Sequence, residues 1–324
     1  MNTAVRITVF AAALAATFGT AYGVGTGIDP VVAKDERPAE HGGHSGTAKD
    51  TSARKEAGHG GHEETPPGGL QISENGYTLD LRTDRIDAGK RQELRFAVQD
   101  SGGRTVTAFK REHDKELHLI VASRDLTTYR HLHPTRAADG TWSTPVDLPK
   151  AGSHRVFADF TPAAKGARNL TLGADLAVAG TYKPDELPGH TTTAKVDGYE
   201  VTLNGRLRPG AQDRLTLSVS KDGKRVRDLQ PYLGAYGHLV ALRDGDLAYL
   251  HVHPNGEPGD GRTRPGPAIS FTATAPSSGA YRLFLDFKHQ GKVRTVAFTV
   301  HTDGTAPAET GASGGAEETD GHDH

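Results

Sequence analysis

The sequence predicts an all-β protein of two tandem immunoglobulin-like β-sandwich domains with disordered, histidine-rich tails. The central part of the chain consists of short alternating segments separated by Gly, Pro, Asp and Asn, and it has no apolar stripe of helical period. It also contains an internal duplication, and each copy holds about seven strands, a number typical of an immunoglobulin-like sandwich. The flanking segments are low in complexity and rich in Gly and His. A closed barrel is the alternative architecture for each copy.

The duplication can be followed segment by segment along the chain. Gly76-Tyr77 opens the first copy and Gly198-Tyr199 opens the second. The segments ELHLIVASRD and GHLVALRDGD follow in the same order, then YRHLHP and YLHVHP, and finally GSHRVFADF and GAYRLFLDF. We therefore expect one sandwich over residues 70–183 and a second over residues 192–302, joined by a linker rich in Pro, Gly and Thr.

The two ends of the chain have a different composition from the copies. Residues 1–28 contain one charged side chain and then an apolar stretch, which predicts a cleaved signal peptide or a retained signal anchor. Either alternative exports the rest of the chain, so the sequence predicts an extracellular or cell-surface location. Residues 29–69 and 303–324 lack apolar periodicity and are expected to be disordered. Paired histidines in both segments predict metal binding; they are His41/His44, His59/His62 and His322/His324.

The composition restricts the chemistry that the chain can perform. Cysteine is absent and Met1 is the only methionine, so the sulfur ligands that hold copper(I) are missing. Imidazole and carboxylate groups remain, and these suit copper(II) and zinc. A formal net charge of −2 without a long basic run leaves no electrostatic footprint for nucleic acid. The two copies also lack the sequence motifs of hydrolases, kinases and metalloproteases, and we predict that the protein is not an enzyme.

One histidine pattern recurs in register in both copies. His118 and His131 are 13 residues apart, as are His238 and His251, and an H-x-H pair closed by proline follows in each copy. Alternate side chains of a strand project from one face, so the H-x-H pair can converge on one ion, with the earlier histidine on a neighbouring strand. The sequence thus predicts one independent metal site in each copy. The predicted ligands are His118, His131, His133 and Asp159 in the first copy, and His238, His251, His253 and Asp286 in the second.

The two aspartates of this pattern have three alternative roles. Asp159 and Asp286 lie in the motif F-x-D-F, and a carboxylate in an apolar strand needs a partner. Each can be a fourth metal ligand, the carboxylate that orients a liganding imidazole, or the partner of Arg155 or Arg282 in an ion pair. Histidines that only form hydrogen bonds within the sandwich are the structural alternative to a metal site.

The chain resembles a group of secreted proteins of high-GC Gram-positive bacteria. The resemblance rests on its histidine-rich tails, its immunoglobulin-like domains, and the motif H-L-H-P or H-V-H-P followed by F-x-D-F. More distantly, the arrangement is similar to the YtkA-like and CopC-like domains of the bacterial envelope, and the latter are copper(II)-binding β-sandwiches. The resemblance covers roughly residues 70–302. It implies a role in metal handling or metal resistance outside the membrane.

These observations predict an exported protein that sequesters or buffers copper(II) or zinc, with metal ions as its partners. The N-terminal apolar segment would attach it to the membrane if that segment is retained. The alternative is a cell-surface structural or adhesive module in which the histidines are structural. Imidazole binds metal only when neutral and has a usual pKa of about 6.5, so affinity is expected to fall by on the order of a hundredfold per pH unit below that value.

Overall fold

The computed structural model describes residues 66–250 and 252–302. Within these ranges the chain is all-β and forms two tandem immunoglobulin-like sandwiches, which confirms the predicted fold class. No helix in these ranges is long and apolar enough to cross a membrane. The predicted signal or anchor segment, the paired tail histidines and His251 lie outside the described residues.

The first sandwich is built from strands β1–β11, arranged in two sheets. The strands are β1 (Ser73–Glu74), β2 (Tyr77–Leu81), β3 (Arg85–Asp87), β4 (Arg91–Gln99), β5 (Phe109–Lys110), β6 (Leu117–Ser123), β7 (Tyr129–Leu132), β8 (Thr135–Arg136), β9 (Trp142–Asp147), β10 (Gly152–Pro162) and β11 (Leu170–Ala179). The outer sheet has the order β1-β2-β4-β9-β8. The inner sheet has the order β3-β11-β10-β6-β7, and β5 pairs with β10. Phe96, Trp142 and Phe160 are among the residues buried between the two sheets.

The second sandwich repeats this arrangement with strands β12–β21. The strands are β12 (Thr193–Val196), β13 (Tyr199–Asn204), β14 (Gln212–Lys221), β15 (Lys224–Arg225), β16 (His238–Arg243), β17 (Tyr249–Leu250), β18 (Val252–Pro254), β19 (Ala268–Thr274), β20 (Ala280–His289) and β21 (Lys292–His301). Its outer sheet has the order β12-β13-β14-β19-β18, with β15 beside β14, and its inner sheet has the order β17-β16-β20-β21. Phe271, Phe287 and Phe298 lie in its core.

Strand β6 is buried along its whole length because both of its faces are covered. The residues that face the core of the first sandwich are Leu117, Leu119 and Val121. Ile120 and Ala122 point the other way, into an apolar cluster shared with the second sandwich. Side chains alternate along a strand, so His118 lies on this second face. In β16 the same alternation puts His238 on the face of Val240 and Leu242.

The shared apolar cluster, called here the interface cluster, joins the two inner sheets. It contains Ile120, Ala122, Leu126, Tyr129 and Phe157 from the first sandwich, and Val240, Leu242, Leu247, Tyr249 and Phe284 from the second. The ring of Tyr129 stacks on Phe284 with a centroid distance of 4.1 Å, and Phe157 contacts Tyr249 at 5.7 Å. Tyr129 is equivalent to Tyr249, and Phe157 to Phe284, so the two contacts are related by a pseudo-twofold axis.

A short backbone segment before β1 also connects the sandwiches. The amide of Tyr249 donates to the carbonyl of Gly68 at 2.9 Å, and the amide of Gly69 donates to the carbonyl of Thr171 at 2.6 Å. Gly69 has a φ of +76°, and a Cβ atom there would lie 2.5 Å from the ring of Phe157. Only glycine fits at this point, because both the backbone conformation and the close approach of the ring exclude a side chain.

Candidate metal centre

Four imidazoles gather at one end of the interface cluster, beside a buried carboxylate. His118 comes from β6, His131 from β7 and His133 from the residue after β7, whereas His238 begins β16 and Asp286 lies in β20. The ring centroid of His131 lies 4.5 Å from that of His238 and 4.8 Å from that of His133. His118 stacks on His238 at 5.4 Å with an interplanar angle of 13°. These four histidines, called the histidine cluster below, therefore come from both sandwiches.

Strand register explains why these side chains meet. His238 is directly opposite Asp286 in the pairing of β16 with β20. In the first sandwich, β6 and β7 form a hairpin in which Ile120 is opposite His131, so His118 lies diagonally next to it on the same sheet. Because the inner sheets face each other, His131 reaches across the interface to the carboxylate of Asp286. The Nδ1 atom of His131 is 2.8 Å from Oδ2 of Asp286.

A line of hydrogen-bonding groups runs through the cluster. Nε2 of His118 lies 3.3 Å from the backbone carbonyl oxygen of Glu112, which can only accept, so this nitrogen donates. The other nitrogen of His118, Nδ1, therefore carries a lone pair. It lies 3.2 Å from Nε2 of His131. At the far end, Oγ1 of Thr295 donates to Oδ1 of Asp286 at 2.5 Å.

Two arrangements of protons satisfy this line of groups. When Asp286 is protonated, its O–H donates to Nδ1 of His131, and the Nε2–H of His131 donates to His118. When Asp286 is ionised, the Nδ1–H of His131 donates to the carboxylate, and the lone pairs on His118 and His131 face each other across 3.2 Å. Only the second arrangement offers two imidazole lone pairs to a shared cation.

Burial controls the charge of every group in the cluster. It lowers the pKa of His118 and of His133 to about 4. It also lowers the pKa of His131 and of His238 well below the usual value, and repulsion from the neighbouring imidazoles acts in the same direction. Burial raises the pKa of Asp286 to about 7, against the opposing effects of the Thr295 hydrogen bond and of His133. The imidazoles are thus neutral at neutral pH, which is the form that binds metal.

The donor set fits a divalent transition-metal ion. Two imidazoles on one tetrahedral zinc ion, with Zn–N bonds of about 2.0–2.1 Å, have their nitrogens about 3.3 Å apart. His118 Nδ1 and His131 Nε2 are 3.2 Å apart, and one nitrogen each of His118, His131 and His238 all lie within 4.8 Å of one another. Nδ1 of His238 and Nε2 of His133 are buried without a hydrogen-bond partner. Asp286 orients His131 as carboxylates orient liganding imidazoles at metal sites.

The arrangement differs from two independent sites. The sequence predicted one histidine set per copy, whereas the structure brings His238 of the second copy to His118 and His131 of the first. The physical reason is the packing of the two inner sheets, which turns equivalent faces of the two copies toward each other. Asp286 likewise contacts the predicted set of the first copy, through His131.

Two of the predicted ligands belong neither to the histidine cluster nor to the Asp286 carboxyl group beside it. Asp159 lies opposite His118 in the sheet and accepts a hydrogen bond of 2.7 Å from Nδ2 of Asn169. His253 is exposed on β18, at the edge of the outer sheet of the second sandwich. His251, the remaining predicted ligand, lies outside the described residues.

The arginines proposed as alternative partners of the aspartates form other contacts. Arg155 forms an ion pair of 2.7 Å with Asp175 and donates to the carbonyl of Gly69. Arg282 donates to Oγ1 of Thr299 at 2.7 Å. Among the alternatives for Asp286, the described contacts match the carboxylate that orients an imidazole, because its Oδ2 atom is the one bonded to His131.

A cavity beside the cluster includes one further histidine, His113, that is not among the predicted ligands. It has a volume of about 420 Å³, and His118 and His238 form part of its wall together with His113, Asp159 and His253. The ring of His113 lies 6.2 Å from that of His118 and 6.5 Å from that of His238. His113 has no matching histidine in the second copy, so the internal repeat carried no signal for it.

Comparison with known families identifies the repeat. Residues 72–174 match a family described as Domain of unknown function (DUF8832), and residues 194–304 match it a second time. The two matches together cover more than half of the chain. The chain belongs to this family. The double match confirms that DUF8832 is present here as a tandem repeat, whereas the resemblance to YtkA-like and CopC-like domains stays a prediction.

The comparison with solved structures gives matches at low sequence identity and low TM-score. The Yersinia pseudotuberculosis adhesin InvE is 13% identical over 71% of this chain and 60% of that chain, with a TM-score of 0.23. A putative membrane anchored protein from Corynebacterium diphtheriae is 10% identical over 72% of this chain and 60% of that chain, with a TM-score of 0.20. This chain thus spans less than two thirds of either protein. The comparison with curated proteins gives no match.

Proposed function

We propose that this DUF8832 chain is an exported protein that binds one copper(II) or zinc ion between its two immunoglobulin-like sandwiches. The observation that carries the proposal is the pair of nitrogens, His118 Nδ1 and His131 Nε2, at 3.2 Å. When Asp286 is ionised, each of these rings has its other nitrogen on an oxygen acceptor, so the facing lone pairs repel unless a cation lies between them. His238 supplies a third imidazole from the other sandwich.

Reversible binding at this site would buffer or sequester the ion outside the membrane. The export part of the proposal rests on the apolar segment in residues 1–28. The metal part rests on imidazole ligands in a chain without cysteine, which suits copper(II) or zinc. The resemblance to CopC-like domains supports the same chemistry.

The test is the metal stoichiometry of the untagged protein, by calorimetry and elemental analysis with zinc. We expect one tight ion per chain, and weaker ions on the tail histidines. His131→Ala and His238→Ala should each abolish the same tight ion, although they belong to different copies. His190→Ala is the matched control, because it makes the same change at an exposed histidine outside the cluster and its cavity. Retention of the tight ion in both cluster variants would refute the site.

The second candidate function is a cell-surface structural or adhesive module without metal. The observation that favours it is the His131–Asp286 hydrogen bond, which already links the sandwiches in the protonated arrangement. If this alternative is correct, the melting temperature of the protein is the same in zinc and in chelator, apart from any effect of zinc on the tail histidines. A metal that binds only to the native state raises the stability by RT ln(1 + [L]/Kd), so the two candidates give different melting temperatures.

A further inference from the structure

We infer that metal occupancy of the histidine cluster controls the docking of the two sandwiches on each other. This inference rests on the proposed metal site and adds a consequence for the whole chain. A ligand set that lay within one copy could be filled without any effect on the interface. Here His118 and His131 belong to one inner sheet and His238 belongs to the other, so a shared ion bonds the sheets together.

The interface has an apolar part that favours docking whether or not metal is bound. Its residues form one continuous cluster in which Tyr129 stacks on Phe284 and Phe157 contacts Tyr249. Burial of this surface is favourable for the usual hydrophobic reason. The contacts do not touch the imidazole nitrogens, so metal removal leaves them unchanged.

Buried polar atoms at the same interface oppose docking when no cation is present, and the His131–Asp286 hydrogen bond offsets part of this cost. Nδ1 of His238 and Nε2 of His133 are buried without hydrogen-bond partners, although water would hydrate both if the sandwiches separated. Asp286 is 2% exposed and also loses its hydration on docking. A metal ion bound by His118, His131 and His238 reduces this cost, because His238 then gains a bonding partner inside the docked interface.

The rest of the chain permits the two sandwiches to separate. Each has its own apolar core, formed by a set of residues distinct from the interface cluster. Residues 180–190, which connect them, are exposed except at Leu187. The balance between the apolar and polar parts of the interface therefore decides whether the sandwiches stay docked, and the metal adds to the docked side alone.

The experiment is cleavage of the linker in the folded full-length protein. A site for a specific protease is introduced between the exposed residues Pro188 and Gly189, and the cleaved protein is diluted in zinc or in chelator. Analytical ultracentrifugation then measures the dissociation constant of the two halves. With free zinc at about 100 times its dissociation constant, we expect chelator to raise this constant about a hundredfold, because an ion that binds only the docked form shifts the equilibrium by the factor 1 + [L]/Kd.

Matched variants separate the inference from the proposed site. In His238→Ala the dissociation constant should be high and insensitive to zinc, whereas His190→Ala should behave like the unsubstituted chain, because His190 is exposed and lies outside the cluster and its cavity. If zinc binds tightly but the halves have the same dissociation constant in zinc and chelator, the inference is wrong and the metal site stands. If no zinc binds at the cluster, both are wrong.

Discussion

Replacement of Asp286 by asparagine should remove most of the pH dependence of metal affinity between pH 5 and 7. Metal binding needs the lone pair on Nε2 of His131, and that lone pair is free only when Asp286 is ionised and accepts the proton on Nδ1. Asparagine has a similar shape but does not ionise, and its carbonyl oxygen can accept from His131 at any pH. The substitution therefore keeps the orientation of the ring and removes the titration.

The magnitude follows from the pKa values in the cluster. The pKa of Asp286 is raised to about 7, so the metal-free protein holds a proton below pH 7 that metal binding releases. Affinity should be constant above pH 7 and fall about tenfold per unit below it, or about a hundredfold between pH 7 and 5. His118 and His133, with pKa values of about 4, stay neutral over this range. The slope is thus shallower than three ordinary histidines would give.

The substitution also lowers the affinity above pH 7, because a neutral amide polarises His131 less than a carboxylate does. Loss of such a supporting group typically reduces metal affinity by about 10–100-fold. Since the unsubstituted site weakens about a hundredfold by pH 5, the two affinity curves should converge or cross between about pH 5 and 6.

The assay is zinc competition against a chelator of known protonation at several pH values between 5 and 8. Asp159→Asn is the control, because it makes the same change at the equivalent position of the first copy and should keep the slope of the unsubstituted protein. A slope of two or more protons per ion in the unsubstituted protein would refute the reasoning, since the histidines would then titrate near their usual pKa. So would an unchanged slope in Asp286→Asn.

Two further substitutions test the surroundings of the site. The hydrogen bond from Thr295 to Oδ1 of Asp286 lowers the pKa of this carboxyl group. Thr295→Val removes that bond, so the pKa should rise and the midpoint of the pH dependence should move above 7, as measured by the same zinc competition. Gly69→Ala places a Cβ atom 2.5 Å from the ring of Phe157 at a φ of +76°, and it should reduce the free energy of unfolding by about 1–3 kcal/mol in a urea titration. Gly89→Ala, at a φ of +68° with no neighbour within 4 Å of the added atom, separates the backbone cost from the steric one.

Much of the fold and part of the site could be read from local sequence patterns. The strand period of two predicts that His131 and His133 lie close together, and the hairpin places His118 beside them. In the structure these rings are within 5.7 Å of one another. Such relations involve residues a few positions apart on paired strands, where backbone geometry leaves few choices.

The contribution of the second copy to the same cluster could not be read in this way. His131 and Asp286 are separated by 155 positions, and no local pattern relates them. One signal was available: the segment from Leu117 to Ser123 is almost entirely apolar, as is typical of a strand buried on both faces. That signal indicates that something covers the second face of β6. It does not say whether the cover is the other copy or another protein.

The pseudo-twofold axis explains why a duplicated motif yields one cluster. His118 and His238 are equivalent residues, and they stack on each other across the interface. Residues near such an axis are contributed by both copies, so members of the two predicted ligand sets meet at one place. A symmetric dimer of a single repeat would have the same residue at equivalent positions on both sides of the axis, whereas the two copies of a tandem chain can have different residues there.

The two copies have in fact diverged around the axis. Glu112 and Tyr232 occupy equivalent positions in short bridged turns, but the carbonyl of Glu112 accepts from His118 while the ring of Tyr232 packs 6.1 Å from His133. Asp159 accepts from Asn169, whereas its equivalent, Asp286, bonds to His131. These differences give the two facing imidazoles, His118 and His131, different partners for their outer nitrogens, a backbone carbonyl for one and a carboxyl group for the other. A symmetric dimer of one repeat has the same partners on both sides of its axis, whereas a covalent duplication lets each copy contribute different groups to one interface.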